Sequence, residues 1–138
     1  MPQPAIDGGN HVLLSAFDET LIQHNAEFNL GIRKYQGEVF SPKGHKYLKD
    51  FTTEPIPKLT YGVGGIEFTK EMLFSHKDGR MIIKYTLVDA HSPTIIRFKP
   101  FLAFRNIHAL SKANYDVDTS YESISNGIRL RMYRGYSW

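Results

Sequence analysis

Apolar residues along the chain recur mostly at every second position, the period of a strand rather than the 3.6 of a helix. Val12-Leu13-Leu14-Ser15-Ala16-Phe17 opens a first strand, and Thr20-Leu21-Ile22 carries it past the Asp18-Glu19 step. Gln23-His24-Asn25 supplies a turn, and Phe28, Leu30 and Ile32 alternate on the way back. Gly37, Pro42, Gly44, Pro55 and Pro57 then mark a long loop of chain breakers, with a short strand over residues 47–52 inside it. Residues 59–63 and 66–74 read as strands joined by Gly64-Gly65, a pair that accepts positive φ. A turn at Lys77-Asp78-Gly79 leads to a strand over 81–88 that sets Ile83, Tyr85 and Leu87 on one face. Another strand, 94–103, alternates Ile96 and Phe98 with Arg97 and Lys99, and Pro100 marks a bulge or an edge. Residues 104–114 are the one stretch with a helical reading. Asn126-Gly127 joins the last two strands, 121–125 and 128–133, as a hairpin. Tight turns every ten residues or so, with no βαβ spacing and no GxGxxG, predict an all-β antiparallel β-sandwich.

Composition agrees with a folded domain. The 138 residues are 41% hydrophobic and 22% charged. A mass of 15.8 kDa should leave roughly 7,300 Å² exposed on folding. With no cysteine, disulfides and thiolate chemistry are excluded. A net charge of +3 is too weak to argue for nucleic acid. No apolar run reaches the ~20 residues of a membrane-spanning helix. Residues 1–10 lack both a basic region and an apolar stretch, so they read as a flexible tail rather than a signal peptide. Residues 11–138 form one predicted sandwich domain. Tyr136-Ser137-Trp138 follows a strand-like segment directly, which suggests that the natural chain continues.

Six histidines (His11, His24, His45, His76, His91 and His108) all fall in or near predicted turns, without HxH or HExxH spacing. They read as solvated loop histidines, and no metal site is expected. Asp18-Glu19 is a neighbouring carboxylate pair, but adjacent strand residues point to opposite faces. Glycoside cleavage needs two carboxyls flanking one bond, about 5–9 Å apart. These two read instead as ending a strand or meeting a neighbouring domain, so no catalytic residue is assigned. Gly62-Val63-Gly64-Gly65 lacks the Lys-Ser/Thr and the helix of a phosphate loop, and reads as a hairpin turn. Lys43, His45, Lys46 and Lys49 surround Tyr47 in a basic cluster, while Arg129 and Arg131 alternate on one face of the last hairpin. The segment Phe104-Arg105-Asn106-Ile107-His108 places Arg, Asn and His together where a strand gives way to a loop. Such groups suit sugar hydroxyls or backbone carbonyls, or they pin the loop that follows. Arg105, Asn106, His108 and Tyr47 are therefore candidates for carbohydrate binding or domain docking, and resemblance to a known family, rather than spacing, adds Asn114.

The order of these segments resembles a known family. Leu13-Leu14-Ser15-Ala16-Phe17-Asp18-Glu19-Thr20 is similar to the "LLS-x-x-DET" start of the N-terminal domain of bacterial and archaeal glycogen debranching enzymes. Residues 41–51, the step Pro57-Lys58-Leu59-Thr60-Tyr61, and residues 100–110 resemble three further motifs of that family, in the same order. The departures are Ser41 for His, Lys99 for Arg, and Asn106 and Ile107 for the acid and aromatic of "RDYH". The resemblance implies a supersandwich-like β-domain, here a fragment of the larger N-terminal domain, that packs on a downstream helical (α/α)₆ catalytic domain of the same polypeptide. That catalytic domain would hold the carboxylates that cut α-1,6-linked glucan. It implies no cofactor and, together with the absent signal peptide, a cytoplasmic location.

Other functions are open from the residues alone. A free-standing carbohydrate-binding module would use exposed aromatic faces, with Tyr35, Tyr47, Tyr115, Tyr136 and Trp138 as candidates. A sugar epimerase-type enzyme would need a His and a carboxylate converging in a concave face, such as His76 or His108 with Glu67 or Glu71. An exposed edge or docking face would also permit a homo-oligomer.

Overall fold

The computed structural model describes residues 1–77 and 79–136. Their elements are strands β1 (His11–Gln23), β2 (Ala26–Asn29), β3 (Ile32–Tyr35) and β4 (Val39–Lys43), a single 3₁₀ turn (Gly44–Tyr47), β5 (Leu48–Thr52), β6 (Lys58–Val63), β7 (Ile66–Ser75), β8 (Arg80–Asp89), β9 (Ile95–Asn106), β10 (Tyr121–Ile124) and β11 (Gly127–Leu130). Strand order is β2-β1-β9 in one sheet and β5-β6-β7-β8 in another, with β3-β4 and β10-β11 as separate hairpins. The protein is all-β, as the period of two predicts, and its strands pair antiparallel. The chain divides into two compact units, residues 17–99 and residues 1–16 with 100–138, so that β1 and β9 each run through both.

The larger unit is the sandwich. Leu21 of β1, Leu30, Val63 of β6, and Ile66 and Phe68 of β7 form its buried core, with Phe28, Tyr47, Tyr61, Tyr85 and Ile96 packed against them. Rings continue the contact from strand to strand. Phe68 stacks on Tyr85 at 5.7 Å, Tyr85 meets Phe98 at 5.0 Å, and Phe98 meets Phe17 edge-on at 6.3 Å. The β6–β7 turn forms as the glycine pair predicts, with φ of +57° at Gly64 and +77° at Gly65. His24 and Asn25 take the same left-handed region between β1 and β2, where no glycine signals it.

Asp18 and Glu19 lie inside the 13-residue β1 rather than at a strand end, and both are buried. Their opposite directions give them different partners. Asp18 accepts from Arg33 Nη1 at 2.6 Å, whereas Glu19 accepts from Lys70 Nζ at 2.5 Å and from Tyr85 Oη at 2.8 Å. Burial, then the nearby Glu19 charge, raises the Tyr61 hydroxyl above its ordinary value. The same causes, with the Glu19 hydrogen bond, raise Tyr85 further.

Three elements differ from the sequence expectation. The breaker-rich stretch folds as the β3–β4 hairpin, because Gly37 (φ +77°) and Glu38 (φ +59°) close a turn between the strands. Residues 104–114 contain no helix. β9 runs on to Asn106 with Phe104 buried at φ +46°, and the Asn106 side chain then caps the His108 amide at 2.9 Å. In the last hairpin Ser125 and Asn126 form the corner, Asn126 itself taking φ +59°, while Gly127 pairs with Ile124 as the first residue of β11. The predicted turn at Lys77-Asp78-Gly79 includes Asp78, which lies outside the described residues.

Removing one partner of a buried ion pair leaves the other charge without compensation. Lys70→Met should therefore lower stability by about 3 kcal/mol in urea unfolding, and Lys70→Met with Glu19→Gln should recover most of that loss. An unchanged midpoint in the single variant would mean that Tyr85 alone satisfies Glu19.

Candidate functional site

Four of the five candidate residues lie in the smaller unit, three of them where β9 becomes loop. Arg105 Nη1 donates to the carbonyls of Ala109 at 2.8 Å and Asn106 at 3.1 Å. Asn106 Nδ2 donates to Asp7 Oδ2 at 3.0 Å, and the amide of Ile107 reaches back to Asn10 O at 3.0 Å. Asn114 holds the next loop segment, donating to Lys112 O and to Tyr133 Oη and accepting from the Asp116 amide at 3.0 Å. The His108 ring is exposed. Arg105 and Asn114 line a cleft of about 550 Å³ whose other walls include Leu102, Leu110, Val117 and Met132. Tyr47 belongs to the sandwich unit. Its ring meets Phe28 edge-on at 6.0 Å, and Lys46 Nζ sits 4.8 Å from its centre.

A buried polar chain underlies this loop. Residues 1–10 fold back on Gln3, whose carbonyl accepts from the amides of Ile6, Asp7 and Gly8, and Met1 exchanges backbone bonds with His11. His11, buried at the head of β1, joins Tyr136 Oη at 2.6 Å through Nδ1 and Asp7 Oδ1 at 2.9 Å through Nε2. Tyr136 Oη donates its one proton to Phe104 O at 2.9 Å. It can then only accept from His11, and the Asp7 carboxylate also only accepts. The full set of bonds thus needs a proton on both ring nitrogens. The hydrogen bond from His11, with those from Asn106 and the Gly9 amide, holds the Asp7 carboxyl down at about 2. Burial raises the Tyr136 hydroxyl, helped by the Asp7 charge. His11 and Tyr136 were expected in solvated positions and are instead buried. Asp7 lies one helical turn's spacing before His11 in sequence, but nothing local announces a partner 125 residues away.

Among the described residues no carboxylate lines the 550 Å³ cleft, while Asp116 and Asp118 line a recess that shares Val117, Met132 and Tyr133 with it. Among the described residues no three His, Asp or Glu side chains converge as metal ligands. Of the proposed aromatic platforms, Tyr35 and Tyr115 are exposed, Tyr47 is half-buried and Tyr136 is buried, while Trp138 lies outside the described residues. Arg129 pairs with Glu122 across the β10–β11 hairpin at 3.1 Å, and Arg131 lies one residue beyond β11. The total exposed surface is 10170 Å², well above the roughly 7,300 Å² expected for a folded chain of this mass. Leu110, Tyr115, Tyr121 and Ile128 of the smaller unit contribute to it.

Antiparallel sheets around a sandwich core, with an apolar cleft edged by Arg105 and Asn114, define an all-β domain of the sandwich type. Residues 2–138 match the family model described as glycogen debranching enzyme N terminal, and the chain belongs to that family. Neither the curated proteins nor the solved structures include a match.

Asp7's depressed carboxyl has a consequence in acid. A carboxyl lowered on folding stabilises fully above its unfolded value of 3.8, and that contribution is lost as pH falls toward about 2. Protection of the Gly9 and His11 amides, taken as exchange relative to the intrinsic rate at each pH, should fall across that window, and Asp7→Asn should remove that fall. Acid-insensitive protection in the parent would show that Asp7 does not anchor the arm.

Proposed function

We propose that this chain is a non-catalytic accessory domain of an α-glucan debranching glycoside hydrolase, docking through its smaller unit onto a helical catalytic domain of the same polypeptide. Family membership over nearly the whole chain carries the reading. The carboxylates support it. Asp18 and Glu19, the pair closest in sequence, point to opposite faces and are both held in ion pairs. The surface supports docking in particular. Leu110 and Tyr115 are almost wholly exposed, and the β10–β11 hairpin offers Tyr121 and Ile128 on one face with Glu122 and Arg129 on the other. A two-stranded hairpin with an uncovered apolar face is marginal alone and gains from a cover. Arg105 and Asn114, already fixed by backbone bonds, would hold the cleft wall in place at that contact.

Two measurements test this. The isolated chain should release no glucose from an α-1,6-branched limit dextrin, and turnover that vanishes with Glu19→Gln would overturn the reading. Added to a separately expressed catalytic region of a debranching enzyme of this family, the chain should form a complex in sedimentation. Leu110→Asp with Ile128→Asp should weaken that complex at least about tenfold, the effect of roughly 1.4 kcal/mol. Unchanged association would exclude this face.

A further inference from the structure

The sandwich unit carries a second concavity, at the β6–β7 turn. It has a volume of about 440 Å³ and is lined by Lys49, residues 62–67, Asp89 and His91. That volume falls within the ~300–1,000 Å³ of small-molecule sites. Three of its lining residues, Gly62, Gly64 and Gly65, carry no side chain. A Cβ on Gly62 would stand 1.9 Å from Lys49 Cε, so only glycine lets the lysine stem lie across β6. The stem brings Nζ to 3.4 Å from Glu67 Oε2. A Cβ on Gly64 would meet the Phe28 ring at 3.0 Å, and Gly65 leaves room beside His91 Cδ2.

The charges around this recess are arranged against local sheet stability. Glu67 and Asp89 are register partners on β7 and β8, beside a β-bulge, so two carboxylates face each other directly. Like charges in that position destabilise a sheet. Lys49 offsets Glu67, while Asp89 is exposed and has no ion-pair partner among the described residues. A local rule broken in an otherwise consistent fold is expected at a functional or strained site.

The same charges select the ligand. Two carboxylates repel an anion. The Lys49 ammonium opposes a cation, and no three-ligand metal group is present among the described residues. What remains is an uncharged molecule with many hydroxyls, whose protons the carboxylates accept and whose oxygens accept from Lys49 and His91. We infer that the recess at Gly62–Glu67, Asp89 and His91 is a binding site for such a polyol. With the α-glucan reading above, on which the choice of sugar rests, the ligand is a short α-glucan segment.

The test is an NMR titration of the isotope-labelled full chain with maltotriose. The amides of Gly64, Gly65, Asp89 and His91 should shift together and saturate, and inorganic phosphate should leave them unmoved. Asp89→Ala, at an exposed position, and Glu67→Gln should each weaken binding about tenfold, the loss of one charge-assisted hydrogen bond. Gly62→Ala, which displaces Lys49, should do the same. Saturable shifts confined to the cleft beside Arg105 and Asn114 would overturn this site and leave the α-glucan reading standing. No saturable shift anywhere, up to tens of millimolar sugar, would also overturn it. The docking reading is decided separately by the sedimentation assay.

Discussion

Glu19 of β1 faces β7 and β8, with a carboxylate that is largely buried. Isolated there, its charge would disfavour the fold. Lys70 from β7 and the Tyr85 hydroxyl from β8 supply its hydrogen bonds, and its charge also acts on the nearby Tyr61 hydroxyl. One side chain from β1 thereby fixes where β1 lies over β7 and β8. An apolar core of Leu21, Ile66 and Phe68 would tolerate sliding more readily than this ion pair does, because hydrophobic contact has no direction and hydrogen bonds do. Asp18, one residue earlier, turns to the other face and ties Arg33 to the same strand. The two adjacent acids, expected to end a strand or meet a neighbouring domain, lie inside β1 and are the pegs that set it in place.

The smaller unit is organised differently. Its buried hydrophobic residues are few, Phe104 and Tyr136 among them, and a polar chain from Asp7 through His11 to Tyr136 and the Phe104 carbonyl holds it together. Hydrogen bonds of this kind fix geometry, and each contributes modest net stability. A unit built this way keeps a defined surface while leaving large apolar side chains outside. Under the docking proposal, this is the face that the other domain would complete. Arg105 and Asn106, the residues most suggestive of ligand chemistry in the sequence, spend their hydrogen bonds within the unit, Arg105 on its own loop and Asn106 on that loop and on Asp7 of the N-terminal arm.

The recess at the β6–β7 turn stands apart from both patterns. Glu27 is matched by a two-pronged contact with Arg97 and Glu71 by Lys84, while Asp50 and Glu54, like Asp89, have no ion-pair partner among the described residues. What sets the recess apart is that Glu67 and Asp89 face each other in register, a local cost that a lone surface acid does not carry.

The sequence by itself determined the strands and most of their turns, because alternation of apolar and polar side chains and the positive φ of Gly64-Gly65 are properties of neighbouring residues. The four ordered motifs likewise announced the family before any coordinates. Tertiary structure alone decided what the polar residues do. Nothing in the order of residues pairs Glu19 with Lys70, His11 with Tyr136, or Glu67 with Asp89, since each partner arrives from a distant strand once the register is set. The helix read over residues 104–114 failed for the same reason. Its local propensity is weak, and the buried ring of Phe104, the Tyr136 hydroxyl on its carbonyl and the Asn106 cap all favour extended chain over a helical turn. Local preference is worth tenths of a kilocalorie per residue, and long-range packing and buried hydrogen bonds outweigh it.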